Sequence, residues 1–116
     1  MLPKENRLNQ KYIKTLYEQG IKFRGEFGML IVKEYLDTKE TQFLFIVSKK
    51  IGNAVQRHRM TRLLREITKE NLKKYTETEK QYRCIYVAFK YCNDYAQLEK
   101  EYTQQFKNAF RINQGI

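Results

Sequence analysis

Apolar positions recur every three or four residues over 10–19, where Tyr12, Ile13, Leu16 and Tyr17 make one stripe, and that spacing predicts a first helix. Asn9 stands where a cap would sit and Gly20 where the helix would stop. The pattern then turns strand-like. FGMLIVKEYL (27–36) and QFLFIVS (42–48) are rich in aromatic and β-branched residues on either side of the polar stretch DTKE (37–40), which predicts a hairpin, with IKF (21–23) as an edge strand. The second run is apolar at every position from Phe43 to Val47, so both of its faces need cover and a central place in the sheet is expected. After a polar segment (76–81) comes a third apolar run, CIYVAF (84–89). Helical spacing returns in Tyr95, Leu98, Tyr102, Phe106, Ala109 and Phe110, predicting a last helix over 95–110 that Asp94 and Gln97 open as a capping box.

Between the second and third runs lies SKKIGNAVQRHRMTRLLREITKE (48–70). Asn53 with Gln56 three residues on makes a cap and box that start a helix at Ala54, and Gly52 lets the backbone turn sharply out of the strand. At 100° per residue Met60, Leu63, Leu64 and Ile67 share one arc, while His58, Arg59, Arg62, Arg65, Lys69 and Lys73 gather opposite. The cations step by three or four residues, a ridge running along roughly 20 Å of a helix over 54–75. A strand, this helix and the strand at 84–89 form a β-α-β unit, whose two strands are expected to be parallel. The fold class that follows is α+β, a two-layer α/β sandwich with a mixed sheet of about four strands and three helices in the order α-β-β-(β)-α-β-α. Without repeat, low-complexity segment or linker, and with one proline at position 3, residues 1–116 are expected to form a single domain.

Charge sharpens this picture. The chain carries 23 Lys and Arg against 13 Asp and Glu, a net +10, and residues 49–74 hold nine of the cations and two of the acids, or +7 of that +10. A localised excess of this kind favours a polyanion. Like charges on one ridge destabilise their own helix by about 0.2–0.5 kcal/mol per i,i+4 pair, and only Glu66 and Glu70 are near enough to offset it. Solvated faces normally mix signs, so a phosphate-binding surface explains the ridge better than solvation does. The guanidinium fork suits phosphate oxygens, and the helix N-terminus beside Lys49, Lys50 and Asn53 adds backbone donors.

Other chemistries lack their residues. The phosphate-loop pattern G-x-x-x-x-G-K-[ST] is absent, the single His58 has no convergent carboxylates, and Cys84 and Cys92 have neither a zinc spacing nor a neighbouring histidine. No catalytic residue and no protein metal site are therefore expected. The basic helix needs its apolar arc to cover the sheet, so it is not free to lie on a membrane. With no run of 18 apolar residues and a polar start, MLPKENRLNQK, the chain is expected to stay where it is made, in a reducing cytoplasm. Sixteen Phe and Tyr interleave with the cations, as in proteins that stack unpaired RNA bases, although Phe43, Phe45, Tyr86, Phe89, Phe106 and Phe110 stand at inward-capable positions. Tyr12 and Tyr17 on the first helix are the better ligand candidates.

The residues SKKIGNAVQRHRMTRLLRE, a strand end followed by Lys-Lys, Gly-Asn-Ala and a regular arginine helix, resemble the signature of the bacterial ribonuclease P protein subunit. The likeness extends over nearly the whole chain: the N-terminal Arg-Leu, the short helix ending at Gly20, the hairpin, the strand at 84–89 and the terminal helix fall in that family's order. The resemblance implies an accessory subunit of a ribonucleoprotein whose RNA, with Mg²⁺ bound mainly by that RNA, removes the 5′ leader of precursor transfer RNA. It also implies a left-handed β-α-β crossover, against the usual right-handed preference. On the same resemblance Lys49, Lys50, Asn53, Arg57, Arg59, Arg62 and Arg65 would face the catalytic RNA and nearby metal-bound phosphates, with Lys69 continuing the ridge. A cleft between sheet and helices would hold the single-stranded leader. Tyr17 matches an aromatic position lining that cleft, and its neighbour falls at Ile13, or at Tyr12 if the helix is rotated slightly.

The chain departs from the family pattern at two places. His58 stands where Asn usually separates paired arginines, and it can hydrogen-bond but also gain charge in mild acid; Thr61 stands where a basic residue is common. The expected partners are the catalytic RNA and precursor transfer RNA, with no membrane and no protein partner. Two other classes fit parts of the sequence: a general RNA-binding or ribosome-associated protein using the same ridge, and a protein-only nuclease, which would cut RNA by itself.

Overall fold

The computed structural model describes residues 2–36, 40–75 and 81–113. Two 3₁₀ turns, Lys4–Asn6 and Gln10–Tyr12, precede helix α1 (Ile13–Gln19); strands β1 (Ile21–Arg24), β2 (Gly28–Tyr35) and β3 (Gln42–Ile46) follow, then α2 (Ala54–Tyr75), β4 (Gln81–Ala88) and α3 (Tyr95–Asn113). The sheet is mixed and runs β1-β2-β4-β3. β1 with β2 and β2 with β4 are antiparallel, whereas β3 and β4 are parallel, with Phe43 opposite Cys84 and Phe45 opposite Tyr86. These three helices and four strands give the expected α+β class and element order.

Three expectations change. β2 and β3 do not form a hairpin, because β4 lies between them; the hairpin joins β1 to β2. Most of the stretch expected to turn between β2 and β3, residues 37–39, and most of the polar segment before β4, residues 76–80, lie outside the described residues. Nor is β3 central. Its second edge meets the N-terminal segment, where Arg7 bridges to Phe43 and the Leu8 N–H donates to the Phe43 carbonyl at 2.9 Å. Finally, the first helix is shorter than its apolar stripe: Asn9 caps a 3₁₀ turn by accepting from the Lys11 N–H, and α-helix begins only at Ile13.

Period-2 alternation divides the strands between two faces. One face packs Leu30, Val32, Phe43, Tyr82, Cys84, Tyr86 and Ala88 against Met60, Leu64 and Ile67 of α2 and Leu98, Tyr102, Phe106, Ala109 and Phe110 of α3. The other packs Met29, Ile31 and Ile85 against Leu8 and the fully buried Leu16 of α1. Full burial of a Leu or Phe side chain contributes about 1.5–3 kcal/mol. A strand flanked by two such clusters is apolar from Phe43 onward even at the sheet edge, which is why β3 reads as central.

The inward arc of α2 is partly polar. Leu63 is only half-buried, whereas Thr68 and Asn71 are buried. The Thr68 hydroxyl donates to the Leu64 carbonyl at 2.8 Å and pairs with the Tyr102 hydroxyl at 2.7 Å, and Asn71 donates to Thr103 at 3.0 Å. These bonds satisfy groups that would otherwise be costly inside, and they fix α2 against α3. Burial pushes the Tyr102 hydroxyl well above its ordinary pKa, the Thr68 bond working in the opposite direction. Phe89, expected inward, ends just beyond β4 and is exposed, with the Arg24 guanidinium over its ring.

Candidate nucleic-acid interface

The corner from β3 into α2 is built from short-range chemistry. Ile51 is buried and its N–H donates to the Ser48 carbonyl at 3.0 Å, pinning a tight turn that leaves Lys49 and Lys50 exposed. The Asn53 side chain accepts from the Gln56 N–H at 2.9 Å and the Gln56 side chain accepts from the Asn53 N–H at 3.0 Å, the reciprocal box expected at this helix start. Gly52 serves it by leaving space: a Cβ there would stand 2.3 Å from Gln56 Oε1. Close approach, rather than an unusual backbone angle, is what favours glycine, since a Cβ would push the Gln56 amide out of the box. Arg57 folds back over the corner, its Nε donating to the Gly52 carbonyl at 3.2 Å.

Beyond the corner, His58, Arg59, Arg62 and Lys69 are exposed and Arg57 and Arg65 are half-buried. Among the described residues the one ion pair on this helix joins Lys73 to Glu70 at 3.5 Å, with both groups well exposed. Such a pair is worth little. Arg59, Arg62, Arg65 and Lys69 thus present positive charge along one face, carried by a helix whose opposite face is anchored through Met60, Leu64 and Ile67.

A groove of about 250 Å³ opens where α2 passes the edge of β3. Arg65 and Thr61 form one wall, Phe43 and Phe45 the floor, and Leu2, Arg7 and Leu8 the other wall. The Thr61 hydroxyl donates to the Arg57 carbonyl at 2.9 Å. Leu8 and Leu44 line this groove; Leu8 also belongs to the cluster under α1 and Leu44 packs against it, so the groove borders that cluster. Ile13, Leu44, Ile46 and Val87 pack partly buried against that cluster, and Tyr17, one turn further along α1, is 37% exposed. The structure therefore brings Thr61 and Arg65 together on the α2 side, and Ile13 and Tyr17 on the α1 side.

Tyr12 packs partly buried against the same cluster and has further partners. Its ring lies under the Arg83 guanidinium at 3.9 Å and meets Tyr35 edge-on at 5.9 Å. Sequence reasoning missed Arg83 and Arg7. An arginine directly before the apolar run at 84–89 was a signal for the first, whereas Arg7 joins the site through the Leu8–Phe43 pairing, which no local pattern announces. Among the described residues no three His, Cys, Asp or Glu side chains converge as metal ligands would, and no helix is long and apolar enough to cross a membrane.

The family model described as Ribonuclease P matches residues 2–110. The chain is similar to the ribonuclease P protein component of Fusobacterium nucleatum, 31% identical over 101 residues that cover 82% of this chain and 87% of the relative. It is also similar to that of Finegoldia magna, 36% identical over 95 residues covering 80% and 79%. Among solved structures, the RNase P protein from Thermotoga maritima superposes with a TM-score of 0.71 at 15% identity, over 88% of this chain and 96% of that one. The RNase P protein of Staphylococcus aureus gives 0.68 at 18% identity, over 93% and 94%. At such identities the superpositions speak to the fold.

Proposed function

The chain belongs to the ribonuclease P protein family, and from that premise we propose that it binds the catalytic RNA of ribonuclease P through α2 and the 5′ leader of precursor transfer RNA along the α1 face. Arg59, Arg62, Arg65 and Lys69, with Lys49, Lys50, Asn53, Arg57 and His58 at the corner, meet RNA phosphates and screen the repulsion between the two RNAs. Hydrolysis is assigned to the RNA and its Mg²⁺; the protein's part is to hold and orient. The single-stranded leader runs from the Thr61–Arg65 groove past Leu8 and Leu44 to Ile13 and Tyr17, where an exposed ring can stack a base. Precursor carries this segment and mature transfer RNA does not, so the contact favours substrate over product. The setting is the cytoplasm.

The observation that carries this reading is the ridge itself: a helix face with four cations lacking carboxylate partners among the described residues, with an apolar-floored groove beside Arg65. Reconstitution with a ribonuclease P RNA tests it. At Mg²⁺ concentrations too low for the RNA alone, the chain should restore cleavage of precursor. RNA binding without any such enhancement would favour a general RNA-binding protein instead, and metal-dependent cleavage by the purified chain freed of RNA would favour a protein nuclease.

A further inference from the structure

Arg83 lies in β4 between Tyr82 and Cys84 and is 5% exposed. Strand alternation puts it on the α1 face, and its guanidinium carbon sits 3.9 Å from the Tyr12 ring centroid and 4.1 Å from that of Tyr35. Its Nε donates to Gln42 Oε1 at 3.2 Å. One buried cation thus touches the turn that leads into α1, the end of β2 and the start of β3 from its own seat in β4. Lys33 is its cross-strand partner on the same face, a like-charge pairing that would ordinarily destabilise a sheet. The rings offset part of this: Lys33 lies over Tyr35 at 4.6 Å, on the ring that Arg83 also faces. An apolar side chain of similar volume would fill the space without a desolvation cost, so packing alone does not call for arginine.

We propose that Arg83 is a positioning residue for the leader groove: held between Tyr12 and Tyr35, it latches the start of α1 to the sheet and sets where Ile13 and Tyr17 stand. The need for a latch follows from length. α1 has seven residues, too few to hold a helix by its own hydrogen bonds, so its place depends on what docks it. Leu16 anchors its middle, and the tyrosine–arginine stack anchors its entrance. The stack also engages the ring of Tyr12, which leaves the exposed Tyr17 as the ring on α1 that meets a base. Arg83 acts through Tyr12 and contacts no RNA.

The inference rests on the α1 face holding the leader, and the test separates the two claims. Holoenzyme is reconstituted with Arg83→Met, Arg83→Lys, Tyr35→Leu or Tyr17→Ala, and the affinity for precursor relative to mature transfer RNA is measured for each. Arg83→Met should lower that ratio about tenfold, the factor corresponding to ~1.4 kcal/mol, while the salt dependence of binding to the catalytic RNA stays as in the parent. Arg83→Lys should recover part of the loss, since an ammonium still lies over the rings, and Tyr35→Leu should repeat the loss from the other side of the stack. If Tyr17→Ala lowers the ratio and neither Arg83→Met nor Tyr35→Leu does, the latch is refuted and the groove stands. If Arg83→Met and Tyr35→Leu lower it only in step with a collapse of thermal stability that Arg83→Lys shares, Arg83 is a structural residue and the proposal falls. If Tyr17→Ala leaves the ratio unchanged, the groove itself is refuted and the latch with it.

Discussion

Replacing Arg59 and Arg62 together by alanine removes two exposed guanidinium groups from the centre of the ridge and touches none of its buried anchors. Arg65 is a poorer choice, because it also walls the groove beside Thr61 and its loss would mix packing with charge. Each phosphate neutralised releases condensed counterions, so log K falls with log salt by about 0.7–0.9 per contact. Losing two contacts should flatten that slope by about 1.4–1.8. Between about 50 and 200 mM salt the variant's deficit should therefore shrink about tenfold. Isotherms with the catalytic RNA at several salt concentrations read the effect. Folding should be untouched or slightly improved, since like-charge neighbours on a helix cost about 0.2–0.5 kcal/mol per pair. An unchanged slope, or an equal loss of affinity at every salt concentration, would refute the claim that these side chains sit on phosphates.

The corner gives a second prediction. Gly52→Ala drives a Cβ to 2.3 Å from Gln56 Oε1 and should break the capping box at a cost of about 1 kcal/mol, much reduced in a Gln56→Ala background, a non-additivity readable from urea midpoints. Alkali should unfold the chain cooperatively. Tyr86 and Tyr102 are buried with hydroxyl pKa values raised, first by desolvation, so they keep their protons in the fold and release them when unfolded. Their contribution is complete below the ordinary tyrosine pKa of about 10 and is lost as pH climbs above it, and tyrosinate absorbance should rise together with unfolding. The thiols should be inert in the native state. Cys84 is fully buried with its pKa pushed up by desolvation, and Cys92 is buried with its Sγ on the Asp94 carbonyl, so labelling should proceed only as fast as the chain opens.

What could be read from the sequence was what short-range rules govern. Asn53, Gln56 and the 3.6-residue spacing of Met60, Leu64 and Ile67 place α2 and aim its arginines before any tertiary contact is known. The sheet order could not be read so. Consecutive strands usually neighbour each other, and nothing local in β2 or β3 says that β4, some 40 residues on, will enter between them. The apolar run of β3 correctly signalled cover on both faces, but cover at an edge comes from Leu8 and α1 on one side and α2 on the other, with Arg7 closing the ladder. The stacking of Tyr12 with Arg83 could not be read from the sequence, because the two lie about 70 residues apart along the chain. Buried polar contacts such as Thr68–Tyr102 were invisible for the same reason: each half is unremarkable alone.

The most direct measurement compares the affinities of precursor and mature transfer RNA for the catalytic RNA with and without this chain. A protein that screens the RNAs through α2 and holds the leader along α1 should tighten precursor well beyond mature product. Equal tightening of both would leave the ridge a general RNA-binding surface and contradict the leader groove.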